Sequence, residues 1–362
     1  MSQERVRVRL MASLRERRFP QAILIDGPVG IGKKALALEI ARALQCTDPN
    51  MRPCGKCFGC KMAVDAGVTD NWIFPMTGEE SGAKSADEAS SRSKAKTVQD
   101  YKRDYISQII ENPYRIDVFP AGTVISVNQI RSMMGEFSLK GDRVRVVIIA
   151  EADRMNESAS NAFLKTLEEV PPDTYFILTT YSREKLLQTI RSRCLSLHLL
   201  PLTDAEVREE ASRMLSDDSL VSQDVVGVAQ GSPGKALLYA PCMEAYGELA
   251  AKFVMGSLLK EYGKLFANLE EAELKDAAHA NGFLEILSFL LVDLIRGFSH
   301  SQLRLPNVTG RVDLSAFPRV DVTALEKALE QVQESIARIE SRRSPVDMVM
   351  QSLSIKLFEG YR

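Results

Sequence analysis

The first two hundred residues alternate short apolar runs with longer stretches of helical pattern. The runs "AILI" (Ala22 to Ile25), "DNWIFPM" (Asp70 to Met76), "VRVVIIA" (Val144 to Ala150) and "TYFILTT" (Thr174 to Thr180) hold their hydrophobicity almost continuously over four to seven residues. Such runs read as strands buried on both faces. A helix is expected from the loop Gly27 to Lys33 as far as about Leu44, and another over about Glu157 to Glu169, stopped by Pro171 and Pro172. A short strand should follow Arg191 and Arg193 in "TIRSRCLSLHLLPL". Strands alternating with helices predict an α/β fold with a parallel sheet and helices on both faces. Ahead of it, residues 1 to about 18 read as a basic helix, followed by Pro20.

The pattern changes after Leu202. To about Tyr239 it is helical and small, with a turn at "GSPGK", and beyond about residue 243 no strand pattern remains. Between Asp321 and Glu340, Leu325, Leu329, Val332, Ile336 and Ile339 recur at spacings of three and four, one apolar stripe with Asp321 as N-cap. A last helix should start with Ser344 as cap and Pro345 at its first position. The run "FLEILSFLLVDLIRGF" (Phe283 to Phe298) carries Glu285, Asp293 and Arg296, too short and too charged for a membrane span, and reads as a buried helix. Within the α/β half, Gly78 to Tyr105 is rich in Ser, Ala, Lys and Glu and nearly free of large aliphatics. It reads as exposed, the first part of an insertion over about residues 78–121.

Composition narrows the class. At 362 residues, two or three domains are expected. With 45% hydrophobic and 26% charged residues and a net charge of -2, the chain reads as soluble and globular, and a pI near 6.1 argues against tight DNA binding by this chain alone. The charged N-terminus is not a secretory signal, so a cytoplasmic location is expected. Four of the six cysteines crowd between residues 46 and 60, which points to a metal site in a reducing compartment.

Three stretches carry candidate chemistry. In "GPVGIGKK" the glycines Gly27, Gly30 and Gly32 and the lysine Lys33 meet the GxxxxGK spacing of a phosphate loop, in which backbone N–H groups face phosphate oxygens at a helix N-terminus. The next position should offer a hydroxyl to Mg²⁺, and Lys34 cannot coordinate a cation. The acidic residue expected at the end of a later strand is replaced by Ala150. Glu151 and Asp153 follow it, either as a water-orienting carboxylate or as caps of the next turn. Cys46, Cys54, Cys57 and Cys60 form Cys-x7-Cys-x2-Cys-x2-Cys, spacing suited to four thiolates around a closed, structural Zn²⁺; a redox dithiol is the weaker reading. Arg191 and Arg193 are either solvated or, for Arg193, aimed at a neighbouring subunit's γ-phosphate. His198, His279 and His300 are isolated, and Cys194 and Cys242 are expected to be buried small apolar groups.

Taken in order, "GPVGIGKK", "CTDPNMRPCGKCFGC", "ESASNAFLKTLEEVPPDTYFILTT", the triplet Ser192 to Cys194 and "GSPGKAL" resemble the clamp-loader branch of the AAA+ ATPases over residues 20 to 240. The resemblance implies an AAA+ domain over residues 1–201 with a zinc-binding loop at 46–60, a small helical lid over 202–242 and an all-α collar over 243–362 that holds a hetero-oligomer together. It implies Cys46, Cys54, Cys57 and Cys60 as zinc ligands, Thr179 and Thr180 as the sensor 1 region, and Gly231 to Leu237 as the sensor 2 region, where Gly234 replaces the usual arginine and Lys235 follows. Its hydrolysing subunits, gamma or tau, carry a threonine after the loop lysine and an aspartate-glutamate pair where this chain has Ala150 and Glu151. The implied role is therefore a subunit whose own site is degenerate, with ATP held weakly or not at all, and whose Arg193 completes the site of an adjacent gamma/tau subunit. Implied partners are gamma/tau and delta subunits and, through the complex, the sliding clamp and primer–template DNA, with no membrane. An active gamma/tau-like ATPase and a non-replicative AAA+ scaffold are the alternatives.

Overall fold

The computed structural model describes residues 8, 10, 12–14, 19–48, 51–68, 71–77, 97–119, 122–137, 144–271, 274, 277–340 and 345–359. The expected N-terminal basic helix and the serine-rich half of the insertion, 78–96, fall largely outside them. Two compact units emerge: Met1–Leu202 with Ser232–Gly234, and Thr203–Gly231 with Lys235–Arg362.

The first unit runs β1 (Ala22–Asp26), α1 (Lys33–Gln45), α2 (Phe58–Met62), β2 (Trp72–Ile73), α3 (Val98–Glu111), α4 (Val127–Phe137), β3 (Arg145–Ile149), α5 (Glu157–Glu168), β4 (Thr174–Thr180), α6 (Gln188–Arg191) and β5 (Leu195–His198). The five strands form one parallel sheet in the order β2-β3-β4-β1-β5. Every residue of β1 is buried, the apolar run Ala22 to Ile25 and Asp26 after it. On one face Leu24, Val147, Ile149, Phe176 and Leu178 meet Ile130 and Met133 of α4 and Ala159, Phe163 and Leu167 of α5. Phe163 stands edge-on to Phe176, ring centroids 5.3 Å apart. On the other face α1 packs on β1, β3 and β4 through its buried side, which includes Leu36 and Ile40. Asn156 starts α5 by accepting the Ala159 amide at 2.8 Å, the N-cap role favoured for this residue type.

The described part of the stretch expected to be exposed, 97–105, is exposed to half-buried, and burial begins just past it. Thr97 and Asp100 form a capping box at the start of α3, which buries Ile106 and Ile109, and the strap 112–119 buries Tyr114. Low aliphatic content holds for the part before Tyr105, but the apolar side chains that dock the segment come just after it.

The second unit is helical among the described residues: α7 (Asp204–Met214), α8 (Gln223–Ala229), α9 (Pro233–Tyr239, its first turn counted in the first unit), α10 (Met243–Leu259), α11 (Tyr262–Glu271), α12 (Ala277–Phe298), α13 (Pro306–Thr309), α14 (Val322–Glu340) and α15 (Val346–Lys356). Its spine is α12, which buries Phe283, Leu284, Ile286, Leu287, Leu290, Leu291 and Leu294 and packs on α10 and α14. Leu325, Val332 and Ile339 of the α14 stripe are buried, and Asp321 accepts the Ala324 amide at 2.9 Å. Asp293, fully buried on α12, accepts the backbone amides of Arg304 and Leu305 at 2.6 and 2.5 Å. No helix among the described residues is long and apolar enough to cross a membrane.

Two details differ from expectation. The last helix begins at Val346 with Pro345 as its cap, one residue late, because the extended backbone of Pro345 (ψ 142°) does not start the helix; Ser344 lies outside the described residues. Cys194, just ahead of β5, and Cys242, the N-cap of α10, are half-buried, not buried.

Because Phe163 fills the space between α5 and the sheet, Phe163→Ala should lower the stability of the first unit by about 3–5 kcal/mol. Urea unfolding followed by far-UV circular dichroism measures it, with a shift in midpoint at an unchanged slope as the expected result.

Candidate functional site

The phosphate-loop sequence lies between β1 and α1, at the carboxyl end of the sheet. Gly30 and Gly32 take φ of 70° and 102°, the left-handed region where glycine is favoured. Gly32 is the N-cap of α1, with no side-chain cap and no acidic residue in the first turn. Lys33 turns its ammonium back onto the loop, donating to the carbonyls of Gly27 at 2.9 Å and Pro28 at 2.7 Å. Burial pushes its pKa down to about 8, against the pull of the Glu151 carboxylate.

Lys34 reaches the other way. Its ammonium lies 2.5 Å from Oδ2 of Asp117, on the strap that follows α3, and the two side chains are 8% and 4% exposed. The same oxygen accepts the Tyr105 hydroxyl at 2.8 Å, and Arg115 Nε lies 3.2 Å from Oδ1. Burial and the adjacent carboxylate push the Tyr105 pKa well up, so its hydroxyl keeps the proton it donates. The Tyr105 ring stacks on Phe74, just past β2, at 3.8 Å.

A second cover comes from the turn before α9. Ser232 donates to the Val29 carbonyl at 2.9 Å and the Gly234 amide to the Gly30 carbonyl at 3.0 Å. A Cβ at position 234 would stand 2.2 Å from the Tyr114 carbonyl oxygen, so no arginine fits there. The remaining cavity is ≈ 240 Å³, lined by Lys33, Lys34, Asp117, Glu151, Arg154 and Tyr181 among others. That is below the range of about 300–1,000 Å³ typical of small-molecule sites.

At the end of β3, Ala150 is buried and Glu151 follows with φ 51°. Burial raises the Glu151 pKa, opposed by Lys33. Its side chain makes no capping bond to the next turn; its amide donates to Thr179 Oγ1 at 3.3 Å. Asp153 does not cap either, but accepts the Thr180 hydroxyl at 2.6 Å. The structure thus brings together Gly27, Gly30, Gly32, Lys33, Lys34, Glu151, Thr179 and Thr180. Arg193 is elsewhere, past α6, with Nη2 2.8 Å from Glu168 Oε1 and Nη1 donating to the Thr189 carbonyl at 3.1 Å. Its side chain is 38% exposed. His198 is paired with Asp26 in register across β1 and β5, Nδ1 to Oδ2 2.6 Å.

Sequence reasoning missed Asp117, Arg115, Tyr114 and Tyr105. The available signal was the alternation "YRIDVF" after Pro113, charged residues every second position in an apolar run, but nothing tied it to a loop some 83 residues earlier.

Three cysteines of the loop between α1 and α2 meet Cys60 of α2, all four sulfurs within 4.8 Å of one another. Cys46 and Cys57 Sγ are 3.9 Å apart, Cys54 and Cys60 Sγ 4.0 Å, close to the about 3.8 Å edge of a tetrahedron with bonds of about 2.3 Å. The amides of Cys54, Cys57 and Cys60 each donate at 3.4 Å to a sulfur of the set, which favours thiolates. Hydrogen bonds from the Thr47 and Cys60 amides hold the Cys57 pKa down at about 5, while burial pushes Cys60 up to about 12. This cluster can hold a metal ion.

A parallel sheet with a GxxxxGK loop after β1, opening a helix that packs back on the sheet, defines a P-loop α/β domain. A family model described as DNA polymerase III, delta subunit, matches residues 2–203, and the chain belongs to that family. It is 29% identical over 236 residues to DNA polymerase III subunit delta' of Escherichia coli K12, covering 63% of this chain and 57% of that protein. It is 28% identical to subunit tau/gamma of Haemophilus influenzae, covering 65% and 28%. The chain thus spans about half the length of the delta' relatives it matches, and less of tau/gamma. A solved gamma-subunit-related protein of Thermotoga maritima is similar at TM-score 0.48 and 15% identity, covering 98% of this chain and 100% of that one.

Loading the cysteine cluster with Co²⁺ should give one equivalent of tetrahedral thiolate coordination, read from its visible and charge-transfer absorption. Cys57→Ser should weaken that signal and Cys46→Ser with Cys60→Ser should abolish it; binding unaffected by these changes would rule the cluster out as the site.

Proposed function

We propose that this chain is a delta-prime-type subunit of a bacterial DNA polymerase III clamp loader, helping to load the sliding clamp onto primer–template DNA. Its own ATP site is degenerate, holding ATP weakly or not at all, and it supplies Arg193 in trans to an adjacent gamma/tau ATPase subunit. The family match and the relatives named delta' support the assignment. The observation that carries it is Lys34: the position that should offer magnesium a hydroxyl holds a buried ammonium paired to Asp117. Ala150, in place of the second metal-binding acid, points the same way.

In this reading residues 1–201 form an AAA+ domain, 202–242 a lid and 243–362 a collar that assembles the chain with gamma/tau and delta subunits. Cys46, Cys54, Cys57 and Cys60 hold a structural Zn²⁺, a closed site with no open position for chemistry. Arg193 is suited to act outward because its present partners, an exposed carboxylate and one carbonyl, hold it loosely.

An arginine finger contributes on the order of 10³ to 10⁵ in phosphoryl-transfer rate. In a complex reconstituted with gamma/tau and delta subunits, Arg193→Ala should leave assembly intact and lower hydrolysis at the one site it completes by at least about 10³, read from single-turnover ATP cleavage. Unchanged cleavage overturns the trans role. Magnesium-dependent turnover by the isolated chain, lost in Lys33→Ala, would favour the active-motor alternative.

A further inference from the structure

The inserted segment has no part in the role just described, yet it makes the tightest polar contact in the phosphate loop. The ammonium of Lys34 and the carboxylate of Asp117 are both nearly inaccessible and 2.5 Å apart. A buried charge without a partner is strongly unfavourable, so each group depends on the other. Asp117 is itself fixed by the Tyr105 hydroxyl at 2.8 Å and by Arg115, and Tyr105 is anchored by its stack on Phe74. The strap also covers the loop by shape: a Cβ on Gly32 would meet the Tyr114 ring at 2.8 Å.

We propose that the strap 113–119 is a built-in occupant of the phosphate loop, in which the Asp117 carboxylate gives Lys34 the anion that a nucleotide's phosphate would otherwise supply. The inference rests on the reading of this loop as a degenerate nucleotide site and names what keeps it so. A triphosphate entering the cavity meets the Asp117 and Glu151 carboxylates, must displace Tyr114, and finds Lys34 already neutralised. The loop then stays in one conformation at any nucleotide concentration. Removing the carboxylate while keeping its shape leaves Lys34 as a buried cation in want of an anion.

The test is binding of tripolyphosphate and of ATP, each with and without Mg²⁺, to the full chain by isothermal titration calorimetry. Wild type should bind neither at millimolar concentration. Asp117→Asn should gain tripolyphosphate binding at least tenfold tighter than wild type, with ATP following, and Lys33→Ala in the same background should remove the gain. If Asp117→Asn folds, by circular dichroism and melting, and gains nothing while wild type also binds nothing, the built-in occupant is overturned and the degenerate site stands. If wild type binds Mg²⁺–ATP as tightly as the variant, the degenerate reading itself falls. Should Asp117→Asn fail to fold, Lys34→Thr with Asp117→Asn removes both charges of the pair, so neither is left unpaired; it should gain Mg²⁺–ATP binding, and no gain again overturns the proposal.

Discussion

Two adjacent lysines at the N-terminus of a helix set the problem that this site solves. The first turn of α1 already carries the positive end of the helix dipole, and it has neither a side-chain cap nor an acid of its own. Lys33 and Lys34, both buried, add two positive charges at that point. Each needs oxygen within reach, and the two find it in opposite directions. Lys33 uses carbonyls of its own loop, which cost nothing in chain topology. Lys34 needs a full negative charge and obtains it from Asp117, 83 residues away. The same segment that delivers this carboxylate also stacks Tyr105 on Phe74 and fits Tyr114 against Gly32 and Gly234.

The parallel sheet makes this concentration of charge possible. Because every strand runs the same way, the loop after β1, Glu151 after β3 and the threonines ending β4 all emerge at one edge. Register does the fine placement: Asp26 lies opposite Thr180 on one side and His198 on the other. Thr179 and Thr180 then tie β4 to the turn after β3, through the Glu151 amide and the Asp153 carboxylate. Residues distant in sequence thereby meet at the carboxyl end of the sheet.

How much of this was legible in the sequence follows from the range of the interactions. Continuous apolar runs give buried strands, and all the expected ones are present, because a fully buried strand has no polar face to disguise it. The order of the strands and the register leave no trace in a run that is apolar throughout. The stripe Leu325 to Ile339 was readable because helical spacing is local, whereas the cap at Pro345 turned on a single backbone angle. The insertion was the real gap. Its composition before Tyr105 is nearly free of large aliphatics, but docking needs only Ile106, Ile109 and Tyr114, and the residue that reaches the loop is a lone aspartate whose partner is named by geometry alone.

Depth separates the two cations that matter most. Lys34 and Arg193 each face one carboxylate at 2.5 and 2.8 Å, so distance does not distinguish them. Their surroundings do. The Asp117 pair is shielded from water, and breaking it strands two charges in a low-dielectric interior. The pair of Arg193 with Glu168 is 38% and 49% exposed, where water and salt screen the attraction and the net contribution is about 0–1 kcal/mol. A planar guanidinium held that weakly can exchange its carboxylate for a phosphate at little cost, and its forked donors match phosphate oxygens in pairs. The same elementary contact is thus a lock at one depth and a loose tether at the other, which is what the proposed division between a silent site of its own and an arginine offered to a neighbour requires.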